Sequence, residues 1–161
     1  MKSIILSTGH SITIDDIDSD LCEFLWTTHQ DYRGNCYAVR KLNNAIIFLH
    51  RIIHERISPN ENPDQVDHKD RNTLNCARAN LRAATVSQNN ANHEIRKDSQ
   101  TGYKGVTFHN RNKNYVAYIR YNKQRIHLGS FKTPEEAALA YNQSAKRLFG
   151  EFACLNEVSN V

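Results

Sequence analysis

Asp67 and His68 stand side by side, and Asn80 and Asn89 follow 12 and 21 residues after the imidazole. These residue types divide the work of phosphodiester hydrolysis among them. A carboxylate can hold a hard divalent cation, and a neutral imidazole can take a proton from water. The two carboxamides either orient the site or complete the metal shell. An Asp-His pair alone is common on protein surfaces, so the elements around it decide its worth.

Those elements are legible. Val66-Asp67-His68 reads as the end of a short strand and Asn80-Leu81-Arg82 as the start of the next, with a long polar loop between them. Thr85 and Gln88 match the Thr-x-x-Gln capping box, so a helix should begin near Val86 and carry Asn89 on its first turn. From there Asn89 can point back at the strands, which favours it over Asn90 or Asn92. Three polar residues from three successive elements can then converge.

On these residues the segment resembles the HNH nuclease family. The likeness runs through Val66-Asp67-His68, Asn80-Leu81-Arg82 and Asn89-Asn90-Ala91-Asn92, with His50-Arg51-Ile52-Ile53 ahead and Leu74-Asn75 in the loop. It is closest to the branch seen in homing endonucleases of phages and mobile introns, whose last signature position is Asn. The resemblance implies a nuclease domain over 1–95 with a ββα-metal core at about 64–92. It makes His68 the general base, Asp67 and Asn89 ligands of one divalent cation, and Asn80 the residue that positions His68 and braces the loop. An Asp/Asn oxygen pair suits Mg or Mn better than zinc.

His50 and His54 share a helix face. In His50-Arg51-Ile52-Ile53-His54-Glu55 the second position is Arg51, whereas a zinc-protease helix needs Glu there, so that reading is rejected. Both histidines are expected to face the core, with phosphate contact by His50 or Arg51 as the functional alternative.

The rest of the N-terminal part reads as scaffold. Ser3-Ile4-Ile5-Leu6 and Ser11-Ile12-Thr13-Ile14 flank a turn, and Tyr37-Ala38-Val39-Arg40 and Ile46-Ile47-Phe48-Leu49 bracket Leu42-Asn43-Asn44. Ser19 is expected to cap a short helix that turns Leu21, Phe24 and Leu25 to a core, with Trp26 near its end. Residues 50–57 should be helical and stop at Ser58-Pro59.

Charge is divided unevenly. Residues 101–161 carry 9 Lys+Arg against 4 Asp+Glu, and no acidic residue lies between Thr101 and Pro134. Such a segment suits a polyanion. It contains three strand patterns, around Val106-Thr107-Phe108, Tyr115 to Tyr121 and Arg125 to Gly129, with polar separators. Thr133-Pro134-Glu135-Glu136 then opens a helix with a capping box, and Gly150 closes it.

Tyr103-Lys104-Gly105-Val106, Tyr118-Ile119-Arg120, Leu128-Gly129-Ser130-Phe131 and Ala137-Ala138 through Tyr141 make this segment similar to the plant ethylene-response-factor (Apetala-type) DNA-binding domain. The likeness covers essentially all of 102–156. It implies a three-stranded antiparallel sheet, packed on one helix, that lies in the DNA major groove. Thr107 and Tyr115 stand where that family typically has Arg and Trp, so the fold is implied but no target sequence. Arg120 and Arg125 are the candidates for base or phosphate contact; Lys104, Arg111, Lys113 and Lys123 suit phosphates.

No run approaches the roughly 18 apolar residues of a membrane helix, and the apolar run from Met1 to Leu6 is too short to be expected to act as a signal peptide. An intracellular setting is expected, the cytoplasm of a bacterial host if the chain is phage-encoded. The four widely spaced cysteines then read as thiols. The expected protein is α+β: a nuclease domain over 1–95, a linker over 96–102 and a DNA-binding domain over 103–156. Its partner is double-stranded DNA, its cofactor one Mg or Mn, and its oligomeric state is left open. A DNA-binding regulator with a vestigial nuclease domain is the rival reading. An RNA-directed nuclease is disfavoured, because the sheet lacks the paired exposed aromatics of single-strand RNA platforms.

Overall fold

The computed structural model describes residues 1–96 and 98–158; Lys97, inside the expected linker, lies outside them. Contacts divide the chain into two compact units, Met1–Thr85 and Val86–Val161.

In the first unit, two small sheets precede the first helix. Strands β1 (Lys2–Ile5) and β2 (Ser11–Ile14) form an antiparallel hairpin that buries Ile4, Ile12 and Ile14. Strands β3 (Thr27–Gln30), β4 (Cys36–Leu42) and β5 (Ala45–Phe48) form the second, with β4 central. Asn43 and Asn44, both at positive φ (49° and 65°), make the tight turn between β4 and β5. Asn tolerates that backbone better than most residues, and the turn matches the twist of the paired strands. Helix α1 (Leu49–Ile57) follows and buries Leu49, His50, Ile53 and His54.

Between β2 and β3 the expectation of a helix with Phe24 and Leu25 inward is corrected. Asp16–Glu23 is two short 3-10 turns joined by a kink at Asp18, and Ser19 follows that kink. Leu21 is buried, but Phe24 is half-exposed and Leu25 is 93% exposed. The tighter winding ends at Glu23, so the next residues leave in extended backbone and only Trp26 returns to the core, its Nε1–H donating to the Leu21 carbonyl at 2.8 Å.

A buried carboxylate ties the unit together. Asp18, fully buried, accepts from Arg78 Nε (2.7 Å), Arg78 Nη2 (2.8 Å) and Arg56 Nη1 (3.1 Å). Those hydrogen bonds, Arg78's first, hold its carboxyl below the usual carboxylate range despite burial. Strands β6 (Gln65–His68) and β7 (Leu81–Ala84) pair antiparallel and close the unit, setting Asp67 opposite Arg82 and His68 opposite Leu81.

The second unit begins with α2 (Val86–Asn92), so β6, β7 and α2 succeed one another in ββα order. Strands β8 (Val106–His109), β9 (Asn114–Tyr121) and β10 (Gln124–Phe131) form an antiparallel sheet in the order β10-β9-β8. Helix α3 (Pro134–Phe149) covers one face. Its start is a full capping box: Thr133 accepts from the Glu136 amide, and the Glu136 carboxylate accepts from the Thr133 amide. Ala137 and Ala138 are fully buried against Val106 and Ala117. Small side chains there let helix and sheet approach closely.

Gly105 shows how close. Its φ is +76°, and a Cβ there would collide with the Tyr141 ring and lie 2.6 Å from the Tyr118 carbonyl oxygen. Asn156 then ties the segment after α3 to Lys104, its Oδ1 accepting from Lys104 N (2.6 Å) and its Nδ2 donating to Lys104 O (3.1 Å).

Candidate active site and nucleic-acid face

β6 ends in a pocket of rings. His68 is buried, with the His50 ring centroid 5.0 Å away and that of Tyr37 at 6.3 Å. Tyr37 comes from β4 and His50 from the first turn of α1, so two distant elements wall the imidazole. Burial pushes His68 down to about 4, against the opposing pull of Asp67 and Asp70. His50, also desolvated, lies well below the ordinary histidine value. Both imidazoles are therefore neutral at physiological pH. The His68 Nε2 lies 3.9 Å from Cys76 Sγ, a thiol that burial raises to about 12 and keeps protonated.

Asp67 is buried beside His68 and its Oδ2 accepts from Arg82 Nε at 2.8 Å. Asn80 spends its carboxamide on the loop. Its Oδ1 accepts from Asp70 N (3.0 Å), and its Nδ2 donates to Asp70 Oδ1 (2.9 Å) and Asn75 O (2.7 Å). Its backbone carbonyl accepts from Lys69 N, the residue after His68, at 2.9 Å. Asp70 also accepts from Asn72 N and Asn75 Nδ2. The polar loop is thus a closed network of Asp and Asn side chains hung between β6 and β7.

His54 Nε2 lies 3.6 Å from Glu61, and Arg51 is exposed with Nη2 donating to Asp64 O at 3.3 Å. Asn89 lies on α2, with Asn90 and Asn92, in the second unit. Among the described residues no group of three or more His, Cys, Asp or Glu gathers as a metal site. The donor chemistry still fits a small hard cation: magnesium is held by one or two carboxylates, with water and substrate phosphate completing its shell. Asp67 supplies such a carboxylate.

In the second unit, the sheet face turned from α3 carries Val116, Tyr118 and Arg120 from β9. From β10 it carries Arg125, directly opposite Arg120, and His127, opposite Tyr118. Two arginines face each other there, and both are exposed. Like charges directly opposite destabilise a sheet, so the pair suits a face that meets an anion. Arg111 and Lys113 lie between β8 and β9, and Lys123 in the turn between β9 and β10, all exposed. Lys104 is placed differently: its ammonium donates to the carbonyls of Ala91 (2.6 Å) and His93 and so secures α2 within the unit.

Comparison with known proteins bears on both regions. Residues 48–91 match the HNH endonuclease family and residues 101–151 match the AP2 domain. The chain thus carries one segment similar to the HNH endonucleases and a second similar to AP2 domains. The HNH segment opens at Phe48, just ahead of His50, and contains Asp67, His68, Asn80 and Asn89. The AP2 domain spans the sheet and all of α3.

An uncharacterized HNH endonuclease of Acanthamoeba polyphaga mimivirus is 39% identical over 112 residues, covering 68% of this chain and 57% of that protein. The rice dehydration-responsive element-binding protein 2E is 59% identical over 44 residues, 26% of this chain and 14% of that protein. The chain thus spans little more than half of the first relative and a small part of the second. No solved structure is significantly similar to it. Among the described residues, no helix is long and apolar enough to cross a membrane.

Sequence reasoning assigned no role to Arg82, Asp70 or Cys76. Arg82 had a signal: pairing His68 with Leu81 in an antiparallel ladder puts Arg82 opposite Asp67. Cys76 had none, because its approach to His68 depends on how the loop folds back.

Proposed function

We propose that the chain is a metal-dependent DNA endonuclease of the homing type, acting on duplex DNA inside a cell. The observation that carries this reading is His68: a neutral imidazole held beside Asp67 at the end of β6, within the HNH segment. In this reading His68 takes a proton from the water that attacks phosphorus. An approaching phosphate anion favours the imidazolium and raises the base toward the working pH. Asp67 holds the cation, which when bound stabilises the charge on the leaving oxygen. Asn89 as second ligand rests on family resemblance. Asn80 acts on His68 through the loop it braces. The AP2 domain holds duplex DNA through its basic face, so the tethered nuclease meets DNA at high effective concentration.

One observation favours a second reading. Arg82 already neutralises part of Asp67, as it would in a DNA-binding regulator whose nuclease segment is vestigial. Incubating the full chain with supercoiled plasmid and Mg or Mn separates the two. The nuclease converts it to nicked or linear DNA, and the regulator only shifts its mobility. If neither metal supports cutting of any duplex, including fragmented genomic DNA, the enzyme reading falls.

A further inference from the structure

Three side chains form a column on the AP2 sheet face that α3 leaves uncovered. The guanidinium carbon of Arg125 lies 3.6 Å from the centroid of the Tyr118 ring. The His127 ring meets Tyr118 edge-on, with centroids 5.3 Å apart. The β10–β9 register explains the lean of Arg125. Its cross-strand partner is Arg120, and Tyr118 lies diagonally, two residues further from the turn. By folding over Tyr118, Arg125 carries its charge from the end of the hairpin toward the middle of the face.

A guanidinium stacked on a ring is held by its π-face and gives none of its five N–H donors to the contact. Among the described residues, no carboxylate or carbonyl is bonded to those donors. A fork fixed in one plane, with its donors unspent, has the geometry that recognises guanine O6 and N7 together. Arg111, Lys113 and Lys123 sit in turns at the sheet ends, where a phosphate strand passes. Arg125 alone among these cations is held against a ring on the face itself.

We propose that Tyr118 is a positioning residue that fixes Arg125 for bidentate reading of a guanine edge in duplex DNA, and so sets a G·C preference at one base pair. The proposal rests on duplex binding by the AP2 domain. Loss of one bidentate base contact lowers discrimination by about 5- to 150-fold.

The test selects duplexes from a randomised library with the full chain, without added divalent metal, for wild type, Tyr118→Phe, Tyr118→Leu and Arg125→Lys. Thermal melting by circular dichroism accompanies each. Wild type and Tyr118→Phe, which keeps a ring, should share a G·C preference at one position. Tyr118→Leu, which keeps apolar bulk without a π-face, and Arg125→Lys should both lose it at that same position and keep the others. The proposal is overturned if folded Tyr118→Leu keeps every wild-type preference, weakens all sequences equally, or loses a different position from Arg125→Lys. Wild type that binds duplex with no preference overturns it alone. Wild type that retains no duplex at all removes the DNA-binding reading and this inference with it.

Discussion

His68 and His50 lose their protons to burial, and this links the candidate base to the stability of its unit. Both lie below the ordinary value of about 6.5 for an exposed imidazole. As pH falls through that value the unfolded chain binds protons that the folded one refuses. Their contribution is therefore full above about pH 6.5 and is lost as pH falls toward about 4, where His68 titrates in the folded state. The thermal midpoint of the first unit should drop between pH 7 and pH 5, and His50→Phe should flatten that slope. In cleavage assays His68→Ala should lower the rate by about 10²- to 10⁴-fold, the usual worth of a general base, with duplex binding retained in gel shifts. The types and spacing of Asp67, His68 and Asn80 were open to sequence reasoning. The depth of His68 was not, because Tyr37 and His50, which wall it, come from elements 31 and 18 residues earlier in the chain.

Among the elements, those announced by local chemistry were the legible ones. Thr133 and Glu136 marked the start of α3, and Asn43-Asn44 marked the turn from β4 to β5. Phe24 and Leu25 misled because an apolar pair beside a capping residue looks the same for an α-helix and for a 3-10 segment that ends one turn sooner. Strand β3 gave no apolar alternation at all. Thr27-Thr28-His29-Gln30 is an edge strand, mostly exposed, defined by its pairing with β4 rather than by burial. Asp18 was equally silent, since nothing local says that Arg56 and Arg78 will meet it. Gly105 provides the test of close packing between α3 and the sheet. Gly105→Ala adds a left-handed backbone cost of about 1–2 kcal/mol to overpacking of about 1–3 kcal/mol. Chemical denaturation of the second unit should show a loss within the sum of those ranges, with the first unit unchanged.

Across the whole molecule the two units differ in sign. Residues 1–85 carry 10 Lys+Arg against 11 Asp+Glu, and residues 86–161 carry 11 against 6. If the second unit carries the DNA affinity, the salt dependence of binding belongs to it. Removing Arg111 or Lys123 should each reduce the slope of log affinity against log salt by about 1, for every duplex sequence alike. Arg51→Ala in the first unit should leave that slope close to wild type. This charge division was plain in the sequence. The seam was harder to place, because α2 follows β7 without a break and its tie to the second unit comes from Lys104 and Cys154, which bond its last turn at Ala91.

The chain has one tryptophan, and Trp26 lies inside the core of the first unit at 2% exposure. The second unit has tyrosines but no indole. Tryptophan emission is thus a private optical signal of the first unit, while far-ultraviolet dichroism sums both. Followed together through a denaturant series, coincident curves mean that the two halves melt as one cooperative body, and separated curves give each its own free energy.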